Sequence, residues 1–200
     1  MRQALPSAFV CHCMFQTASG PPQASALIRP RNPVGSLICN CEDPADIVTV
    51  PRLIGLGADL SRIAILDSKG LDRLDEHGKA ILREAVGDLR PRLFTLDTIV
   101  PYLPAGVGTQ QATDVRPTLR WLADVAAEFD TCGLVLRHLR KASADNPLHA
   151  GQGSMDFVGT CRSALIAAKD PTEPIQCTPL AARAELARPS VYPCRSPAPL

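Results

Sequence analysis

Arg92-Leu93-Phe94-Thr95-Leu96-Asp97-Thr98-Ile99-Val100 is bracketed by Pro91 and Pro101 and carries one carboxylate near its end. The run is too short for an ordinary helix and rich in β-branched and aromatic residues, so it reads as the central strand of a parallel sheet covered on both faces. Asp97 then stands at the strand's carboxyl end. In open α/β sheets ligands bind outside the carboxyl ends of the strands, and a carboxylate there is placed to hold a hydrated Mg²⁺ against phosphate. The residue type alone is equally compatible with an Asp that merely ends a core strand.

Upstream, residues 34–41 form a second apolar strand that runs directly into Glu42-Asp43-Pro44. Asp43 followed by Pro44 is a helix start, with a capping carboxylate and a proline at the first helical position. Glu42 is therefore a second carboxylate at the sheet's carboxyl edge. Residues 45–56 read as a helix that Pro51 must kink or divide, and residues 62–66 as a strand. Within 75–89, Ile81, Leu82, Ala85, Val86 and Leu89 recur at helical spacing while Lys79, Arg83, Glu84 and Asp88 take the opposite face.

Downstream, 101–112 is a loop, and Asp114 is expected to cap a helix whose stripe is Val115, Leu119, Leu122, Val125, Ala126 and Phe129. A strand at 132–136 leads into Arg137-His138-Leu139-Arg140-Lys141, a polar loop spans 142–156, and a fifth strand covers 163–168 with Arg162 at its entrance. Alternating strands and helices imply right-handed βαβ units and a three-layer, mostly parallel α/β domain over residues 34–170. Residues 1–33 lack either period and gather Pro, Ser, Gly and Gln, and residues 171–200 are Pro-rich. Both are expected to be irregular.

The chain has 200 residues and a formal charge of +1, so one domain is expected and no global field draws it to nucleic acid or an acidic membrane. No apolar run is long enough to span a bilayer, and the first residues lack a clear cleavage pattern, which makes the cytosol the default compartment. The eight cysteines are scattered rather than arranged as a dense disulfide framework. One arrangement suits zinc, Cys11-His12-Cys13 with Cys39-Asn40-Cys41, although Cys39 lies in an apolar strand where cysteine also serves as a small hydrophobe.

The series Cys41-Glu42-Asp43-Pro44-Ala45-Asp46, Pro51-Arg52-Leu53, Gly57-Ala58-Asp59, Leu96-Asp97, Leu136-Arg137-His138-Leu139-Arg140-Lys141 and Gly151-Gln152-Gly153-Ser154 resembles the RecA-like AAA-family ATPases related to RepA, the hexameric replicative helicase of plasmids. That resemblance implies a RecA-like fold, ATP and Mg²⁺ as cofactors, a homo-oligomeric ring and action on single-stranded DNA. It implies that Glu42 orients the attacking water, Asp97 carries Mg²⁺, His138 senses the γ-phosphate and Arg162 reaches a neighbouring subunit's nucleotide. Basic and loop residues Arg137, Arg140, Lys141 and Gln152 would meet nucleic acid. Without the family pattern, Glu42 reads as a cap, His138 as a satisfied edge histidine and Arg162 as half of a surface ion pair.

One family element is absent. The phosphate-binding loop G-x-x-x-x-G-K-[ST] has no counterpart, since the only Gly-Lys pair, Gly78-Lys79, is followed by Ala80 and lies within a helix pattern. The expected fold is thus a RecA-like sheet whose first strand and phosphate loop are missing or degenerate. Three functions from different classes follow: a truncated ATPase core, a non-enzymatic assembly relative, and a zinc-stabilised regulator.

Overall fold

A computed structural model describes residues 11–15, 35–109, 111–139, 151–168, 176–182 and 192–193. Its strands are β1 (Cys11–Phe15), β2 (Ser36–Asn40), β3 (Ile63–Asp67), β4 (Leu93–Asp97), β5 (Cys132–Val135), β6 (Ser163–Ala168), β7 (Gln176–Ala182) and β8 (Tyr192–Pro193). The helices are α1 (Val50–Gly55), α2 (Glu76–Leu89), α3 (Ala112–Glu128) and α4 (Asp156–Thr160). All strands join one sheet in the order β3-β2-β4-β5-β1-β6-β7-β8. The β3, β2, β4 and β5 pairings are parallel and those from β1 to β8 antiparallel. The α/β expectation holds for the four-stranded parallel part, with β4 inside it between β2 and β5.

Strand alternation puts Leu37 and Cys39 of β2, Phe94 and Leu96 of β4, and Val135 of β5 on one buried face, in register across the three strands. Leu82 and Val86 of α2 and Val115, Leu119, Leu122 and Val125 of α3 complete the same core cluster. The stripe of α3 buries as its spacing predicts, and that of α2 does so at Leu82 and Val86, with Ile81 and Ala85 half-buried, while Leu89 at the end of α2 is exposed. Asp75 caps α2, its carboxylate accepting from the Gly78 N–H at 2.9 Å. The opposite sheet face is thinner, with Ile38, Thr95 and Leu134 only partly buried. Covering is therefore unequal on the two faces.

Several local expectations change. Asp43 does not cap a helix; its carboxylate pairs with Arg52 at 2.8 Å. The segment before Pro51 is a π-helical turn, Ala45–Thr49, that hands over to α1 at Val50. Pro51 has no N–H to return to the preceding turn, which divides the helix there. α3 starts at Ala112, ahead of Asp114, whose carboxylate reaches back to the Gly108 N–H at 3.1 Å. Within stretches expected to be irregular, β1, β7 and β8 are strands, and the slot beside β5 is filled by β1 rather than left open.

Candidate functional site

The parallel strands end together. Register sets Asn40 level with both Asp67 and Asp97, and the Leu136 N–H donates to the Leu96 carbonyl at 3.0 Å just past β5. Asn40 then turns the chain, its side-chain oxygen accepting from the N–H groups of Glu42 at 2.9 Å and Asp43 at 3.1 Å. This turn carries the Glu42 side chain across to β4. There the Thr98 hydroxyl donates to Glu42 Oε1 at 2.7 Å, while His138 Nε2 lies 3.5 Å from Glu42 Oε2. Asp67 spends its carboxylate locally, accepting from the N–H groups of Lys69 and Gly70.

His138 is fixed from two directions. The Ile99 N–H donates to the Leu136 carbonyl at 2.8 Å, tying the turn after β4 to the end of β5, and the Gln152 N–H donates to the His138 carbonyl at 2.8 Å. Arg137 is turned inward rather than towards solvent, only 2 % exposed, with Nη1 donating to the carbonyls of Gln152 at 3.2 Å and Ser154 at 3.1 Å. Its guanidinium lies 5.0 Å from the centre of the Phe157 ring, and a Cβ on Gly151 would stand 2.3 Å from it. The absence of a side chain at 151 lets the backbone of residues 151–154 approach the cation this closely.

Asp97 is half-buried in this charged surround. Burial first, then the carboxylates of Glu42 and Asp43, pushes its carboxyl above the ordinary value, while His138 and Arg52 pull it back. Behind it lies a thiol and phenol group. Burial and the neighbouring Cys41 push the Cys39 thiol up to about 12, and burial with Cys39 and Cys41 raises the Tyr102 phenol as well. Without a metal, Cys39 is therefore a protonated small hydrophobe rather than a nucleophile.

Glu42, Asp97 and His138 are thus gathered at one edge. Arg162 is not gathered with them: it is exposed, just before β6, whose Ser163 is level with Leu134 through Met14. That places it roughly 10 Å back along the strands and about 14 Å across them. Gln152 is exposed near His138, and Arg140 and Lys141 lie outside the described residues. Two contributors escaped sequence reading. Thr98 looked like part of the strand, and Asn40 carried the signal that could have found it, an amide ending an apolar strand just before two acidic residues.

The zinc arrangement does not form. β1 and β2 are separated by β4 and β5, so the two C-x-C pairs stand about 14 Å apart, whereas zinc needs each thiolate sulfur at about 2.3 Å. Among the described residues no group of three or more His, Cys, Asp or Glu could hold a metal by itself. Magnesium demands less, usually one or two carboxylates completed by water and substrate oxygens. Asp97 fits that role, because the surplus negative charge around it is what a divalent cation would offset. A nucleotide triphosphate fits less well. A phosphate-cradling turn must leave a strand at this edge, but β1 runs antiparallel to β5, so its carboxyl end, Phe15 opposite Gly133, points to the far edge.

No protein family matches the chain, and no curated protein matches it. Among the described residues no helix is long and apolar enough to cross a membrane.

Proposed function

We propose that the chain is a RecA-like, RepA-type ATPase core of DNA replication or mobile-element maintenance, acting on single-stranded DNA as a homo-oligomer. In it the water-activating and cation-holding side of the site is built, and the phosphate grip is lacking among the described residues. One observation carries the proposal: Glu42 is held by Thr98 and faced by His138 beside a half-buried Asp97, at the ends of adjacent parallel strands. Phosphoryl transfer depends mainly on positioning and charge stabilisation, and these are the groups it needs for water and for Mg²⁺. Arg162 would serve a neighbouring copy.

A second reading, a non-enzymatic relative that keeps the fold as an assembly subunit, is favoured by the direction of β1, which brings no phosphate loop to this edge. Two measurements on the purified chain separate them. Paramagnetic Mn²⁺ titration should reveal one weak site that Asp97→Asn removes, and phosphate release from Mg-ATP should be negligible. Robust turnover abolished by Asp97→Asn would show that another segment grips the phosphates. A chain that binds neither Mn²⁺ nor nucleotide would sink the ATPase assignment and leave the assembly subunit.

A further inference from the structure

The outward face of α3 carries a groove of about 340 Å³ whose described lining is Thr113, Arg116, Pro117, Arg120, Trp121 and Asp124. These six residues recur at helical spacing, so the groove runs along the helix for roughly 16 Å. Trp121 is the chain's single tryptophan and is half-buried, so part of its indole lines the groove. Lys79 of α2 stands 6.0 Å from the centre of that ring. Arg116 is held by Asp156, an ion pair that fixes its guanidinium at one end. Arg120, one turn further and exposed, makes no ion pair or hydrogen bond among the described residues. Asp124 bounds the basic stretch on the other side.

We infer that this α3 groove binds single-stranded nucleic acid, with a base against Trp121 and a phosphate on Arg120. An aromatic face beside unneutralised guanidinium, with no array of base-reading amides, is the combination that takes unpaired strands without sequence preference. Position 120 stands about 6 Å along α3 from position 116, and since the Arg116 guanidinium is already paired with Asp156, Arg120 is the cation left for a phosphate. An open groove along a helix suits an extended chain better than a free nucleotide. The inference rests on the proposed action on single-stranded DNA and moves the contact away from Arg137, whose guanidinium is enclosed.

Because the chain has one tryptophan, the test reads the groove itself. Oligo-dT added to the full chain at low salt should quench Trp121 fluorescence, and anisotropy of labelled oligo-dT should report binding that weakens as salt rises. Arg120→Ala, at an exposed position, should weaken that binding several-fold and lower the salt slope by about one. Trp121→Ala should weaken it about ten-fold, with Trp121→Phe retaining most of the affinity because a ring still stacks. Oligo-dT that binds by anisotropy without quenching, and equally well to the Arg120→Ala variant, would overturn the groove and leave the proposed function standing. Absence of any anisotropy change would overturn both the groove and the action on single strands. Equal quenching by ATP or by polyglutamate would overturn the assignment to a nucleic-acid strand.

Discussion

At Asp97 the placement of a carboxylate among other carboxylates opposes stability. Its carboxyl is raised from an ordinary 3.8 by burial and by two neighbouring carboxylates, with only partial relief from His138 and Arg52. A carboxyl raised by folding binds its proton more tightly in the native state, so the ionised form opposes folding. Stability is then lost as pH rises through the interval between the ordinary and the raised value, and the loss is complete above it. Asp97→Asn removes that charge while keeping the shape. It should raise Tm at pH 7 by about 1–3 °C, a gain kept small by the residue's partial exposure. The gain should vanish near pH 3, where the parent carboxyl is itself protonated. Thermal melts at the two pH values check this, and a gain that persists unchanged in acid would assign it to packing instead of charge.

At the scale of elements, β4 and β5 are joined by shape as well as by hydrogen bonds. Gly133 is paired with Phe94, and a Cβ there would stand 2.6 Å from the ring's Cζ. Phe94 is fully buried, so the ring can yield only by displacing its neighbours in the core. Gly133→Ala should therefore destabilise the fold by about 1–3 kcal/mol, seen as a lower urea midpoint at unchanged slope. An unmoved midpoint would mean that the ring relaxes freely. The same elements show what sequence can and cannot reveal. β2, β4 and β5 were legible because short apolar runs between turn residues are local signals, as were the stripes of α2 and α3. Asp97 and Glu42 were legible as strand-end carboxylates for the same reason. β1 was not, because Cys11–Phe15 has no alternation of its own and becomes a strand only by pairing with β5 and β6, far away in sequence. β7 carries Pro179, which argues against a strand until its neighbours are known. Thr98 was hidden by continuity, since nothing in Thr98-Ile99-Val100 marks the point at which β4 stops and the turn that presents a hydroxyl to Glu42 begins.

Across the whole molecule, burial is distributed unequally, and that asymmetry predicts how the chain opens. The core cluster joins β2, β4, β5, α2 and α3 on one side of the sheet, with Phe94, Leu96, Leu82, Val86, Leu119 and Leu122 all fully buried. Residues 45–55 contribute nothing to it, and Ile47 and Ile54 there are 72 % and 60 % exposed. Segments with few buried apolar contacts open locally at low free-energy cost, whereas core strands exchange only when the entire domain unfolds. Amide hydrogens of 45–55 should therefore exchange fastest among the described helical segments, and those of β4 slowest. Gly133→Ala gives the decisive comparison, because it lowers global stability without touching α1. Exchange in β4 should accelerate by the full factor of the measured destabilisation, about 5-fold to 150-fold for 1–3 kcal/mol. Exchange in residues 45–55 should stay where it was. If both segments accelerate together, the turn and α1 unfold only with the core and are held more firmly than their exposure implies.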